Sequence, residues 1–112
     1  MRNMSFAFTT QQMRDGTKTV TRRLGWDFLK PGDTVMACVK CQGLKKGEHV
    51  ERIHPIKIVS SQRESLYTIT PEDVIREGFP KLDPIRFIVM FCEHMDCSPS
   101  KLVNRIEFEH LV

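Results

Sequence analysis

Gly16-Thr17-Lys18-Thr19-Val20-Thr21-Arg22-Arg23 is the stretch from which the rest of the chain can be read. Its eight residues hold one glycine, one lysine, three threonines, two arginines and a single valine. Threonine and valine favour strand, whereas the charge density is too high for a buried one. The segment therefore reads as a turn leading into a strand whose outer edge lines a polar pocket. Just upstream, Thr9-Thr10-Gln11-Gln12-Met13-Arg14-Asp15 reads as one short helix, with a threonine cap at its start and Gly16 as a left-handed stop. Within the strand, Thr19, Thr21 and Arg23 share one face, and Lys18, Val20 and Arg22 take the other. Lys18 can meet Thr21 only if the chain bends near Gly16.

Working outward, Met4–Phe8 alternates as a first strand, and Gly25–Asp33 is a loop closing in a Pro-Gly-Asp turn. Thr34–Cys41 is the clearest strand. A basic connection carrying Lys45 and Lys46 joins it, as a hairpin, to a second strand over Val50–Val59. Pro55 within that second strand predicts an edge or a bulge, because proline lacks a ladder donor. Thr70-Pro71-Glu72-Asp73 and Asp83-Pro84 each put a capping residue before a proline, the signature of a helix start. The second of these helices runs to Cys92, and Gly78-Phe79-Pro80 separates the two. Val103–Leu111 alternates as a final strand. Strands at both ends and in the middle, with short helices inserted, predict one α+β domain over residues 1–112 built on a small, partly open β-barrel.

Composition sets bounds on function. The 112 residues are 40% hydrophobic and 28% charged, an ordinary globular balance. No apolar run reaches the ~20 residues of a membrane span, and the first residues lack a signal-peptide core, so a cytoplasmic location and no membrane partner are expected. The net charge of +3 is unevenly spread: residues 1–63 hold 12 Lys/Arg and 5 Asp/Glu, or +7, and residues 64–112 hold 5 and 9, or −4. A basic half of this kind suits a phosphate-bearing partner such as RNA.

The residues also carry a resemblance. Gly16-x-Lys18 followed by Arg23 fits the G-x-K-x-x-x-x-R signature of ASCH domains, a branch of the PUA-like β-barrels. The aromatic first strand, the short helix before the glycine, the Pro-Gly-Asp turn, the run Arg76–Pro80 and the ending Arg105–Phe108 look like the short phage and bacterial members. The resemblance spans nearly the whole chain. In bacterial N4-acetylcytidine amidohydrolases of this fold, Lys-x-x-Thr is completed by a glutamate from a later helix. On this chain the resemblance implies Lys18, Thr21 and Glu77.

Two functional readings stay open at this stage. In the first, Thr21 is the nucleophile of an amide hydrolase and Lys18 its base. A lysine of ordinary pKa near 10.4 would need burial or the neighbouring cations Arg22 and Arg23 to lose its proton, and pairing with Glu77 would oppose that loss. In the second, protonated Lys18 with Arg22 and Arg23 anchors a phosphate or base carbonyl, Glu77 reads a donor edge, and Phe6, Phe8, Trp26 or Phe79 stacks on a base of RNA or of a modified nucleoside, with Lys45 and Lys46 nearby. RNA cleavage would use the same cations but lacks an evident histidine base. No cofactor is expected. Cys38, Cys41, Cys92 and Cys97 offer enough ligands for a zinc knuckle, with ordinary buried thiols as the plain alternative. His54 and His110 have no evident partners.

Overall fold

The structure, a computed structural model, describes residues 1–41 and 43–112. Its strands are β1 (Asn3–Ser5), β2 (Val20–Arg23), β3 (Thr34–Cys38), β4 (Arg52–Ser65) and β5 (Leu102–His110). Its helices are α1 (Thr10–Arg14), α2 (Pro71–Arg76) and α3 (Pro84–Met95), with a single 3₁₀ turn at Leu66–Thr68. No helix is long and apolar enough to cross a membrane among the described residues.

The strands form one mixed sheet in the order β1-β3-β4-β5-β2. β1 runs parallel to β3 and every other pairing is antiparallel. The fold is α+β as expected, but among the described residues no ladder joins β1 to β2, so the sheet is open where a barrel was predicted. The two edge strands are bridged instead by a side chain: Arg23 Nη2 donates to the Ser5 carbonyl at 2.6 Å. That open seam is where the site forms.

β4 is longer than its alternation suggests. It continues to Ser65 through a register shift between Ile58 and Ser60 that leaves Val59 as the extra, half-exposed residue. Pro55 lies on this central strand, not at an edge. Its carbonyl accepts from Leu111 N at 3.1 Å, at the last rung beside β5, so its missing N–H forfeits only a terminal ladder bond.

The helix starts follow the sequence signals. The Thr70 hydroxyl accepts from Asp73 N at 3.1 Å with Pro71 at the first position, and Asp83 accepts from Arg86 N at 2.8 Å ahead of Pro84. α3 runs one turn further than Cys92, to Met95, and stops at Asp96 in a left-handed conformation. Thr9 makes no side-chain cap on α1; the Thr10 hydroxyl bonds back to the Phe6 carbonyl at 2.9 Å. Gly16 (φ +79°) does end that region as a left-handed stop.

Two hydrophobic clusters use opposite faces of β5. Ile106 and Phe108 face a core with Met4, Phe6, Met13 and Ile58, while Val103 faces a second one with Leu66, Val74, Phe87 and Phe91. Burying each such Phe or Leu contributes about 1.5–3 kcal/mol. Between these clusters, α2, α3 and the turn after α2 close over the seam and hold charged residues in place.

Candidate functional site

The seam contains a cavity of about 380 Å³. One wall comes from Ser5 at the end of β1 with Phe6 and Phe8 beyond it, another from Thr21 and Arg23 on β2. Glu77 and Phe79 follow α2, and Phe87, Met90, Phe91 and His94 come from α3. The cavity is therefore polar where Lys18, Thr21, Arg22, Arg23 and Glu77 meet and apolar along α3.

β2 delivers its side chains with the expected parity. Thr21 lies opposite Ile106 and Arg23 opposite Asn104, on the face of the first core, and Arg22 lies opposite Arg105 on the other face. Lys18 escapes the parity argument because it precedes the strand. Its N–H bonds the Gln12 carbonyl at 3.2 Å and the next N–H, of Thr19, bonds the Arg76 carbonyl at 2.8 Å. These two bonds tie the bend to α1 and α2 and turn the lysine inward. Since β2 is an edge strand, Arg22 can reach round its free edge to the acceptor that Lys18 also uses.

That acceptor is Glu77. Lys18 Nζ donates to Glu77 Oε1 at 2.8 Å and to the Glu77 carbonyl at 2.7 Å, and Arg22 Nη1 donates to Oε2 at 3.2 Å. The Lys18 and Glu77 side chains are each only 4% exposed and that of Arg22 1%, so the charges are paired away from water. The backbone conformation behind this is local: Glu77 caps α2, and Gly78 turns with φ +101°. A Cβ on Gly78 would lie 2.8 Å from Gln12 Cγ, while Gln12 Nε2 donates to the Gly78 carbonyl at 3.1 Å, so helix α1 rests directly on this glycine.

Behind Glu77 a second ion-pair layer braces Arg22. Its Nη2 reaches Asp73 Oδ2 at 2.6 Å and Glu64 Oε1 at 2.8 Å, and Asp73 takes a two-bond grip from Arg105 at 2.7 and 3.0 Å. Hydrogen bonds from Arg105, then from Arg22, hold the Asp73 carboxyl down to about 2 against the opposing effect of burial. Arg22 Nε is buried and has no hydrogen-bond partner among the described residues.

On the other face Arg23 lies over Phe6, its guanidinium carbon 4.7 Å from the ring centre, and Nε donates to Thr21 Oγ1 at 3.1 Å. Burial pushes the Arg23 pKa down to about 10. Burial also lowers the Lys18 pKa; Glu77 opposes the fall, and Arg23 and Arg22 add to it. Because Glu77 is shared with Arg22, its hold on the lysine proton is weakened.

The sequence candidates thus separate. Lys18, Thr21, Arg22, Arg23, Glu77, Phe6, Phe8 and Phe79 all line the cavity. Trp26 does not: it adopts φ +68°, packs on the first core and stacks near Phe28 at 5.5 Å. Lys45 and Lys46 lie outside the lining, exposed on the loop between β3 and β4. The cysteines form two separate neighbouring pairs, Cys38 with Cys41 and Cys92 with Cys97. Among the described residues no three His, Cys, Asp or Glu side chains gather as a metal site, so the zinc knuckle is not assembled there. Burial pushes the Cys38 thiol up to about 11, away from the thiolate that metal binding needs.

Two histidine features were missed in the sequence. His110 Nε2 donates to the Lys18 carbonyl at 2.7 Å, and its Nδ1 shares a hydrogen bond with His54 Nε2 at 2.6 Å. The pair fixes the backbone that carries the lysine. His94 lines the cavity from α3 with its ring edge-on to Phe8, centroids 3.6 Å apart. The alternation of β5 placed His110 on a strand, but nothing local to either histidine announced its partner.

No protein-family model matches this chain, and no curated protein matches it. Solved structures do. A protein from Enterococcus faecalis V583 assigned to DUF984 superposes with TM-score 0.67 at 14% identity, over 98% of this chain and 79% of that one. An ASCH domain from Lactobacillus crispatus JV V101 superposes with TM-score 0.59, also at 14% identity, over 97% of this chain and 78% of that one. The chain accordingly has an ASCH-like fold.

Proposed function

We propose that the seam cavity binds a nucleobase, presented by RNA or as a modified nucleoside. The observation that carries this reading is the set of free donors on the cavity's polar side, set against aromatic walls. Lys18 uses two of its three N–H groups on Glu77, leaving one. Thr21 Oγ1 accepts from Arg23 and keeps its own proton to donate. The spare lone pairs of Glu77 are the matching acceptor. Such a site suits a planar ring with two or more acceptor atoms and one exocyclic N–H, as on the pairing edge of cytosine, held between Phe79, Phe87 and Phe91. The superposition on an ASCH domain supports the same reading through fold alone.

The convergence of Lys18, Thr21 and Glu77 on one cavity supports a second reading, hydrolysis of an N4-acylated cytosine nucleoside. A neutral lysine amine keeps two N–H donors, enough for both of its bonds to Glu77, and has a lone pair to spare. Thr21 Oγ would attack the acyl carbon as its proton passes to Lys18 Nζ. The C–N bond then breaks as that proton moves to the departing amine, and water hydrolyses the threonyl ester to release the carboxylic acid. Burial and the two arginines favour the neutral amine; Glu77 disfavours it.

Calorimetric titration with cytidine and N4-acetylcytidine, with product analysis by chromatography, tests both. Binding of either nucleoside that is weakened by Thr21→Val supports base recognition. Release of cytidine by wild type and by Thr21→Ser, but not by Thr21→Val, supports the hydrolase. Absence of binding to both nucleosides would remove the base-recognition reading, and absence of release at high enzyme concentration would remove the hydrolase.

A further inference from the structure

We infer that Cys92 and Cys97 are a modification site, a thiol pair that a peroxide closes into a disulfide across the C-terminal turn of α3. The backbone brings the two residues together. Asp96 takes a left-handed conformation with φ 50°, and the Cys92 carbonyl accepts from Asp96 N and from Cys97 N, the latter at 3.2 Å. This is the Schellman closure, which folds the residue after the left-handed one back onto the last helical turn, so that their side chains meet. Cys92 and Cys97 both pack against the second core, and the Cys97 thiol lies within hydrogen-bonding reach of that of Cys92. A disulfide needs Cα atoms within about 7 Å and Cβ vectors that do not diverge. A backbone hydrogen bond between two residues whose thiols meet satisfies both conditions.

Access separates this pair from the other one. Cys38 is 0% exposed on β3, with Sγ 3.5 Å from the Met36 carbonyl, whereas Cys92 and Cys97 are both half-buried, within reach of a small oxidant. Burial, and then Cys97, push the Cys92 thiol above its ordinary range, so Cys97 meets the peroxide and Cys92 resolves it. The Cys97 thiolate attacks one peroxide oxygen and the O–O bond breaks, giving a sulfenic acid and hydroxide. The Cys92 sulfur then attacks the sulfenic sulfur; the S–S bond forms, and the sulfenic oxygen leaves as hydroxide, which takes up the thiol proton. With hydrogen peroxide, two thiols and one peroxide become one disulfide and two waters. The last turn of α3 carries His94 and Met95, both on the cavity lining, with His94 edge-on to Phe8. The crosslink fixes that turn at the cavity mouth, and reduction by a thiol releases it.

The test treats the wild-type chain with equimolar hydrogen peroxide, alkylates the remaining thiols and maps tryptic peptides by mass spectrometry. Cys92 and Cys97 share the peptide Phe87–Lys101, whereas cleavage after Lys40 puts Cys38 and Cys41 on separate peptides, so the two possible links are distinguishable. The peptide Phe87–Lys101 should lose two hydrogens and resist alkylation, and dithiothreitol should restore both thiols. In Cys92→Ser the same dose should leave Cys97 as a sulfenic acid that dimedone captures, with little capture in wild type. Amide hydrogen exchange at Asp96 and Cys97, the two donors to the Cys92 carbonyl, should slow roughly tenfold in the oxidised chain. Alkylation of both Cys92 and Cys97 after peroxide overturns the inference, as does a link between Cys38 and Cys41 that forms first. Unchanged exchange at Asp96 and Cys97 in the oxidised chain overturns the fixing of the turn.

Discussion

Glu77→Gln isolates the charge on which the site is assembled. The substitution keeps the side chain's shape and an acceptor oxygen, but it removes the only carboxylate bonded to Lys18 among the described residues. Lys18 must then remain charged in a site where its side chain is 4% exposed, or give up its proton. Giving it up at pH 7 from an ordinary pKa near 10.4 costs at most about 4.6 kcal/mol, which caps the lysine's share. Arg22 loses a bond of 3.2 Å but keeps Asp73 at 2.6 Å and Glu64 at 2.8 Å, so it adds little. The expected loss is about 3–5 kcal/mol, in the range found when one partner of a buried pair is removed. For a domain of this size that is about a fifth or more of a total stability of roughly 6–17 kcal/mol. Lys18→Met should cost far less, about 0–2 kcal/mol, because Glu77 keeps Arg22 and an apolar chain replaces the buried ammonium. Urea unfolding followed by circular dichroism measures both. A Glu77→Gln loss under about 1 kcal/mol, or a Lys18→Met loss exceeding that of Glu77→Gln, would refute the reasoning.

Further outcomes follow from the same geometry. Asp73 titrates at about 2 in the folded chain against an ordinary 3.8, so its contribution is complete above pH 3.8 and lost as pH falls toward 2. The stability gap between wild type and Asp73→Asn should therefore shrink by about 1–2 kcal/mol between pH 5 and pH 2.5, allowing for solvent screening, in urea melts at each pH. The lowered Lys18 pKa has a consequence of the same sign at alkaline pH. The folded chain binds fewer protons there, so wild type should gain stability relative to Lys18→Met as pH rises toward 10.5. Gly78→Ala should cost at least about 1–2 kcal/mol in thermal melts, because φ is +101° and the new Cβ meets Gln12 Cγ at 2.8 Å. Shortening Gln12 to alanine in the same chain should recover the part due to Gln12 Cγ and leave the φ penalty and the 3.1 Å contact with Gln12 Cβ.

The sequence made the local parts of this site readable and left its closure hidden. Pro71 and Pro84 after capping residues announced two helices, and Gly16 announced the stop before Lys18, because these signals act within a few residues. Period-two alternation on β2 correctly put Thr21 and Arg23 on one face and Arg22 on the other. Strand pairing is not local, and the open seam between β1 and β2 could not be read from either strand. The same limit hid the bulge at Val59, through which β4 runs on to Ser65, and the central position of Pro55. Nothing local to Arg105, Asp73 and Glu64 announced their pairing, yet sequence separations of 32 and 42 residues close into one network behind Arg22. Trp26 illustrates the converse: an aromatic near the signature looked like a stacking residue, and a left-handed turn carries it onto the core instead. The ASCH resemblance supplied Glu77 where composition and spacing alone would have left one carboxylate among many.

The central claim is that the seam cavity, floored by Lys18, Thr21 and Glu77, is where a nucleobase binds. Backbone amide NMR of the labelled chain, titrated with N4-acetylcytidine and cytidine, tests it most directly. The account predicts saturable shifts at Phe6, Thr21, Arg23, Glu77 and Phe79 with little change around Trp26 and Phe28, and loss of those shifts in Thr21→Val. Shifts confined to other surfaces, or none at millimolar nucleoside, would contradict it.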